Sequence, residues 1–262
     1  MVVPKSRAAL RLFVILLGMA VTNMAQAGGV ARHAVFLTLE YPPFASESIS
    51  GEGATIEVLR EALALRGWEI EVRFLPWARV PIELAQGEAD GALPCWPAEV
   101  QRFGLQMSDP LFMSRLGFFV RTADLPGLDV SLEHMKGKRV GTVRGYGYPD
   151  ALERSGVTRE DAMDDETNFK KLAAHRFDYV VLERAVGDYL LATNKAWHLS
   201  AEVSWKDPAF AMLPLYVGFL PGRPHSAELQ QDFQAGLSRL RREGRLDGLA
   251  RQFGLDLPTS PR

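Results

Sequence analysis

Cysteine is almost missing from this chain: Cys95 is the single one in 262 residues. No internal disulfide can form, so apolar burial has to hold the fold. An excess of either charge is missing too, with 30 Lys+Arg against 32 Asp+Glu. That balance gives no electrostatic grip on nucleic acid or an anionic membrane surface. The five histidines, His33, His134, His175, His198 and His225, show no H-x-x-H spacing and no C-x-x-C accompanies them, so no metal site is indicated. There is no G-x-S-x-G elbow for a serine hydrolase. Gly145-Tyr146-Gly147 lacks the third glycine of a dinucleotide fingerprint, since Asp150 stands there, and no G-K-[ST] follows. Cys95 as a nucleophile beside Arg102 competes with the more ordinary reading of a buried, inert thiol. No cofactor and no catalysis are expected.

Apolar runs long enough to cross a membrane are absent as well; the longest lies at the start. Lys5, Arg7 and Arg11 precede the apolar stretch Leu12 to Val21, and Ala25-Gln26-Ala27 stands before Gly28. These are the three parts of a secretory signal peptide, cleaved after Ala27. Its apolar core is about ten residues, short of the roughly 20 that span a bilayer. No cysteine adjoins the cleavage site, which excludes lipid attachment there. The expected product is a periplasmic monomer of 262 − 27 = 235 residues, with 27 basic against 32 acidic side chains.

What is present is a repeated alternation of strand and helix. Val35 to Leu39 reads as a strand, and Tyr41-Pro42-Pro43-Phe44 as a turn. Thr55 caps a helix with Ile56, Leu59 and Leu63 on one face, ended by Gly67. Glu69 to Phe74 alternates as a strand, Val80 to Ala85 makes a short helix, and Ala89 to Leu93 is a third strand. This order predicts a parallel sheet with right-handed crossovers. After the extended run Leu111 to Arg121 the pattern restarts: strand Arg139 to Val143, helix Tyr148 to Ser155, a helix capped by Asp165, strand Tyr179 to Leu182 and helix Ala185 to Ala192. Leu215 to Leu220 returns as a strand, and two helices, Ser226 to Glu243 and Arg245 to Phe253, close the chain. The expected division is a leader over 1–27, lobe one over 28–121, lobe two over 122–214, and a return over 215–262 onto lobe one. Two βα lobes joined by two extended crossings leave a cleft that closes by hinge motion.

The most informative stretch is Asp90 to Arg102, DGALPCWPAEVQR. A buried strand runs there into a loop pinned by Pro94 and Pro97, and a helical turn then presents Arg102 near the strand's carboxyl end, where ligands of open α/β sheets bind. A guanidinium is a bidentate match for a carboxylate. The alternative is an ordinary surface pair of Arg102 with Glu99 or Asp109. Glu183 follows the strand Tyr179 to Leu182 and either faces the cleft or complements the dipole of the next helix.

Tyr41-Pro42-Pro43-Phe44, Asp90 to Arg102, Ser108-Asp109-Pro110, Gly137-Lys138-Arg139-Val140-Gly141 and Asp178 to Glu183, in that order and spacing, resemble the family 3 extracellular solute-binding proteins, the periplasmic group that serves amino-acid ABC importers. The resemblance spans Val35 to Phe253. It implies an α/β, two-lobed periplasmic binding protein-like fold of type II and a small carboxylate-bearing, amino-acid-like solute delivered to a membrane permease. Arg102 would hold the ligand's carboxylate and Glu183 its amine. Tyr41 would lie over its side chain, with Trp96 and Trp77 extending that wall. Arg79, in a W-x-R pattern with Trp77, would either face the cleft or carry a surface charge. Backbone amides of Gly145, Tyr146 and Gly147 would form an anion nest.

The chain departs from that pattern where relatives contact the ligand. Pro94, Cys95 and Pro97 stand where amino-acid binders often have serines, and Gly147 stands where a threonine commonly helps hold the carboxylate. The pocket therefore reads as more aromatic and less polar than that of a basic amino-acid binder. Two further readings share the fold: a sensory protein reporting to a membrane receptor, and an enzyme like the cyclohexadienyl dehydratases, which resemble binding proteins.

Overall fold

The continuous apolar run Ala34 to Leu37 gives β1 (Arg32–Thr38), in which Phe36, Leu37 and Thr38 are buried. A computed structural model describes residues 32–193 and 201–258. The expected leader and His198 lie outside the described residues. The Tyr41–Phe44 turn hands the chain to α1 (Ala54–Ala64), whose Ile56, Val58, Leu59, Ala62 and Leu63 form the buried face. β2 (Trp68–Phe74), a 3-10 turn over Trp77–Arg79 and α2 (Val80–Ala85) follow. β3 (Gly91–Cys95) is buried at every position and pairs in parallel with β1, Phe36 opposite Gly91. Then come α3 (Pro97–Arg102), the two-residue β4 (Gln106–Met107) and β5 (Phe112–Arg121).

The second βα set comprises β6 (Arg139–Val143), α4 (Asp150–Arg154), β7 (Thr158–Ala162), α5 (Asp165–Ala173), β8 (Tyr179–Glu183) and α6 (Arg184–Thr193). β9 (Val203–Phe219) follows, then α7 (Ser226–Arg242) and α8 (Arg245–Phe253). Strand order is β2-β1-β3-β9-β5-β8-β6-β7, with β4 also on β9. The long β9 serves both lobes. Its first part pairs with β5 from Val203 to Leu215, and its last residues, Tyr216 to Phe219, pair with β3 and β4. Among the described residues no helix is long and apolar enough to cross a membrane.

Four elements differ from expectation, each for a local reason. The return strand starts at Val203 and not at Leu215: Asp207 and Pro208 interrupt the alternation, and they lie in an irregularity where the β5 register jumps between Leu116 and Phe118. β7, TREDA, carries too many charges to read as a strand, as suits an edge strand. The cap of α5 is Asp164, whose carboxylate accepts the Thr167 N–H at 2.7 Å; Asp165 is the first helical residue and is buried. Thr55 does not cap α1. Gly53 does, and the Thr55 hydroxyl donates to the Phe44 carbonyl at 2.8 Å, tying the helix to the Tyr41–Phe44 turn.

The closing helices lie on α1. Arg245 pairs with Glu57 at 2.8 Å and Glu61 at 2.6 Å. At the crossing of α1 and α7, a Cβ on Gly236 would fall 2.2 Å from the Ala62 carbonyl oxygen. Backbone atoms cannot yield as a side chain can, so Gly236→Ala is expected to destabilise the fold by about 1–3 kcal/mol. Denaturant unfolding with an unchanged midpoint would refute this close packing.

Candidate functional site

The site begins where β3 leaves the sheet. Asp90 fixes the strand's entry, accepting the Val35 N–H at 2.8 Å and Arg223 Nε at 2.8 Å. Pro97 sits in the first turn of α3, where its missing donor costs nothing. Glu99 then turns inward. It is 3 % exposed, and three donors converge on its carboxylate: Trp77 Nε1 at 2.7 Å, Trp96 N at 2.8 Å and Gly147 N at 2.9 Å. The first two come from the same lobe as Glu99, the third from the other.

Glycines let the Gly145–Gly147 loop come this close. Gly145 has φ of 90°, and a Cβ there would lie 2.8 Å from the Ala78 Cα; a Cβ on Gly147 would lie 2.6 Å from the Glu99 Cγ. Arg102 Nη2 also donates to the Gly145 carbonyl. The loop is thus held twice, by Glu99 on the inside and by Arg102 on the solvent side.

Beneath the loop four aromatic rings meet. Tyr41, Trp96 and Tyr146 are nearly perpendicular to one another: Tyr41–Trp96 at 6.4 Å and 81°, Tyr41–Tyr146 at 5.9 Å and 86°, Trp96–Tyr146 at 5.6 Å and 83°. Tyr148 adjoins both Trp96 and Tyr146. Tyr41 and Trp96 come from the first βα set, Tyr146 and Tyr148 from the second. The cavity between them, lined also by Leu39, Pro94 and Leu215, measures about 10 Å³, space for about one water. A groove of about 580 Å³ opens beside it between α3 and the 147–150 segment.

Several buried polar atoms here lack a partner among the described residues: Tyr41 Oη, Trp96 Nε1 and Asp165 Oδ1. The other oxygen of Asp165 accepts the Tyr146 hydroxyl at 2.9 Å. Burial pushes Asp165 up to about 7 and Glu99 up to about 7, the latter against the pull of its three donors and Arg102. Burial likewise raises Glu183 to about 8, although Val186 N and Arg115 N donate to it. The Tyr41 hydroxyl is pushed well up by burial, then by the charges of Glu183, Asp165 and Glu99. Burial also raises the Cys95 thiol, which points its weak donor at the Ala92 carbonyl, so it has no thiolate to react with.

The structure therefore brings Tyr41, Trp77, Trp96, Tyr146 and Gly147 together, with Gly145 and Arg102 at the rim. It does not bring Arg79, whose exposed side chain pairs with Glu83 one turn on at 2.7 Å. Glu183 stands at the end of β8, where its carboxylate joins the first turn of α6 to β5. It lines a separate cavity of about 110 Å³ with Arg115, Asp188 and Asp256. Sequence reasoning missed Asp165, read as a cap, and Tyr148, read as part of a helix. It met Glu99 only as a surface partner of Arg102. The tyrosine spacing in Tyr146-Gly147-Tyr148 was the available signal for one of these.

No family model matches the chain, and no curated protein matches it. Solved structures match in fold. A histidine kinase sensor domain with similarity to periplasmic binding proteins superposes with TM-score 0.73, 20% identity, over 87% of this chain and 99% of its own. An ancestral arginine-binding protein bound to arginine gives 0.71 and 21%, covering 84% and 97%. An amino acid ABC transporter substrate-binding protein from Streptococcus pneumoniae bound to L-arginine gives 0.71 and 18%, covering 85% and 94%. The fold is the two-lobed, type II periplasmic binding protein-like one that the resemblance implied.

The buried acids set the pH response. Folded values of about 8 for Glu183 and about 7 for Glu99 and Asp165 exceed their ordinary 4.5, 4.5 and 3.8. Between those limits the folded chain holds protons that the unfolded chain releases, so stability is greatest on the acid side and is lost as pH rises through 7 to 8. The melting temperature is expected to fall from about pH 5 to about pH 8.5, and Asp165→Asn to shallow that fall. A flat or rising profile in that window would contradict ionisation against burial at these sites.

Proposed function

We propose that the chain is an exported solute-binding protein that closes its two lobes over a small solute and delivers it to a membrane permease. The observation that carries this reading is the Glu99 carboxylate of the first lobe holding the Gly147 N–H of the second, beside buried polar atoms that lack a partner among the described residues. The cleft lies at the carboxyl ends of β3 and β6, where ligands of α/β sheets bind. Tyr41, Trp77, Trp96 and Tyr146 form its wall, and Arg102 holds Gly145 from the rim. Lobe one over 28–121, lobe two over 122–214 and a return over 215–262 are the proposed division. The two solute-binding neighbours support transport. The sensor-domain neighbour favours a second reading, in which the closed form reports to a receptor.

A solute that binds only the folded chain raises its apparent stability. A thermal-shift screen of small polar solutes at ~1 mM is expected to return at least one hit, with ligand-dependent compaction in small-angle scattering. Gly147→Val places a side chain against Glu99 and is expected to raise the Kd of that hit more than tenfold and abolish the compaction. An empty screen sinks the reading. An unchanged Kd in the variant removes closure over Gly147 from it. Uptake and response assays of a strain lacking the protein, run with the hit, separate transport from sensing.

A further inference from the structure

The groups expected to receive a ligand carboxylate are already engaged within the chain. The nest around Gly147 gives its N–H to Glu99, the backbone N–H of Trp96 goes to the same carboxylate, and Trp77 Nε1 completes the set. Arg102, the expected carboxylate anchor, is exposed; its guanidinium stacks 4.9 Å over the Phe103 ring and donates to the Gly145 carbonyl. An internal carboxylate thus sits where a ligand anion would be bound. A second anion there would face Glu99 and would find no spare donor among those three.

The remaining features of the cleft select for the opposite charge. Tyr41, Trp96 and Tyr146 pack edge to face around a void of about 10 Å³, and parting the lobes frees their π-faces to take a cation. The charges acting on the Tyr41 hydroxyl come from Glu183, Asp165 and Glu99, all acidic. At the rings two oxygens have no partner among the described residues: Asp165 Oδ1, on a residue 4 % exposed, and Tyr41 Oη, on one 3 % exposed. Both can accept from an ammonium. Trp96 Nε1, the remaining unpaired donor, can serve a hydroxyl or a water.

We propose that the cleft takes an organic cation without a carboxylate of its own, an ammonium-bearing solute held against the Tyr41, Trp96 and Tyr146 rings with Asp165 as counter-charge. This rests on the solute-binding reading above and narrows its ligand. The ring faces lie on different lobes, so opening the hinge separates the Tyr41–Trp96 pair from Tyr146 and Tyr148, and the cation enters between them. Glu99 keeps Trp77 Nε1 and Trp96 N throughout, recovers Gly147 N on closure, and occupies the place an amino acid's carboxylate would otherwise take. The amino-acid-like ligand suggested by the resemblance is replaced by its amine half.

Matched pairs test this directly. Choline against glycine betaine, cadaverine against L-lysine and phenethylamine against L-phenylalanine differ by a carboxylate while keeping the cation. At least one amine is expected to raise the melting temperature and to bind, by calorimetry, more than tenfold tighter than its partner. A carboxylate partner binding as tightly as its amine, or tighter, overturns the cation inference and leaves the solute-binding reading standing. No shift with any of the six also overturns it; a hit among neutral or anionic solutes in the wider screen then preserves that reading, and an empty screen sinks both. Glu99→Ala frees Trp77 Nε1, Trp96 N and Gly147 N and is expected to narrow the amine preference at least tenfold. Should that variant fail to fold, the wild-type ratios decide alone.

Discussion

A carboxylate deprived of water must be protonated or given donors, and Glu99 is given three, drawn from both lobes. Hydrogen bonds to a charged acceptor are each worth about 1.5–3 kcal/mol. The donation from Gly147 is therefore a substantial tie between the lobes, beside the Arg102 bond to Gly145 and the contacts of Tyr41 and Trp96 with Tyr146. Much of the local geometry serves that one contact. Pro97 starts α3 so that Glu99 faces inward, Trp77 is aimed by its 3-10 turn, and Gly147 lacks the side chain that would strike Glu99.

The aromatic wall follows from the same constraint. With the loop pulled down onto Glu99, Tyr146 is carried against Tyr41 and Trp96, and its hydroxyl reaches Asp165. Perpendicular ring contacts suit the quadrupoles of the three rings and add to their area burial. The closed cleft is thus stabilised by its own side chains. Burial lifts Asp165 to about 7, so a cation beside its unpartnered oxygen favours the ionised form and draws off the proton.

The architecture was legible because burial leaves marks in the sequence: the apolar run of β1, the alternation in β2 and the apolar face of α1 identify those elements without any contact being known. The helical turn that carries Arg102 was legible from Pro97 and its place after a buried strand, whereas Pro94, expected in a loop, lies inside β3. What escaped depended on direction. Glu99 and Arg102 stand three apart on one turn, yet one points into the interface and the other into solvent, a choice made by the opposite lobe. Asp164 and Asp165 are equivalent as capping candidates in the sequence; only the approach of Tyr146 turns the second inward. The charged strand β7 hides because an edge position needs no apolar alternation.

A cleft that closes on its own contacts imposes a condition on any ligand. Affinity is then the difference between what the solute gains inside and what Tyr146, Gly147 and Glu99 lose when the lobes part, since only differential interaction shifts an equilibrium between states. A solute able to displace the rings while leaving the Glu99 bonds intact faces the smaller loss. Pro94, Cys95 and Pro97 offer no hydroxyl to compensate an anion for that opening. The same segment that marks the fold by its spacing thus limits, through its neighbours Trp96 and Glu99, the chemistry the cleft can receive.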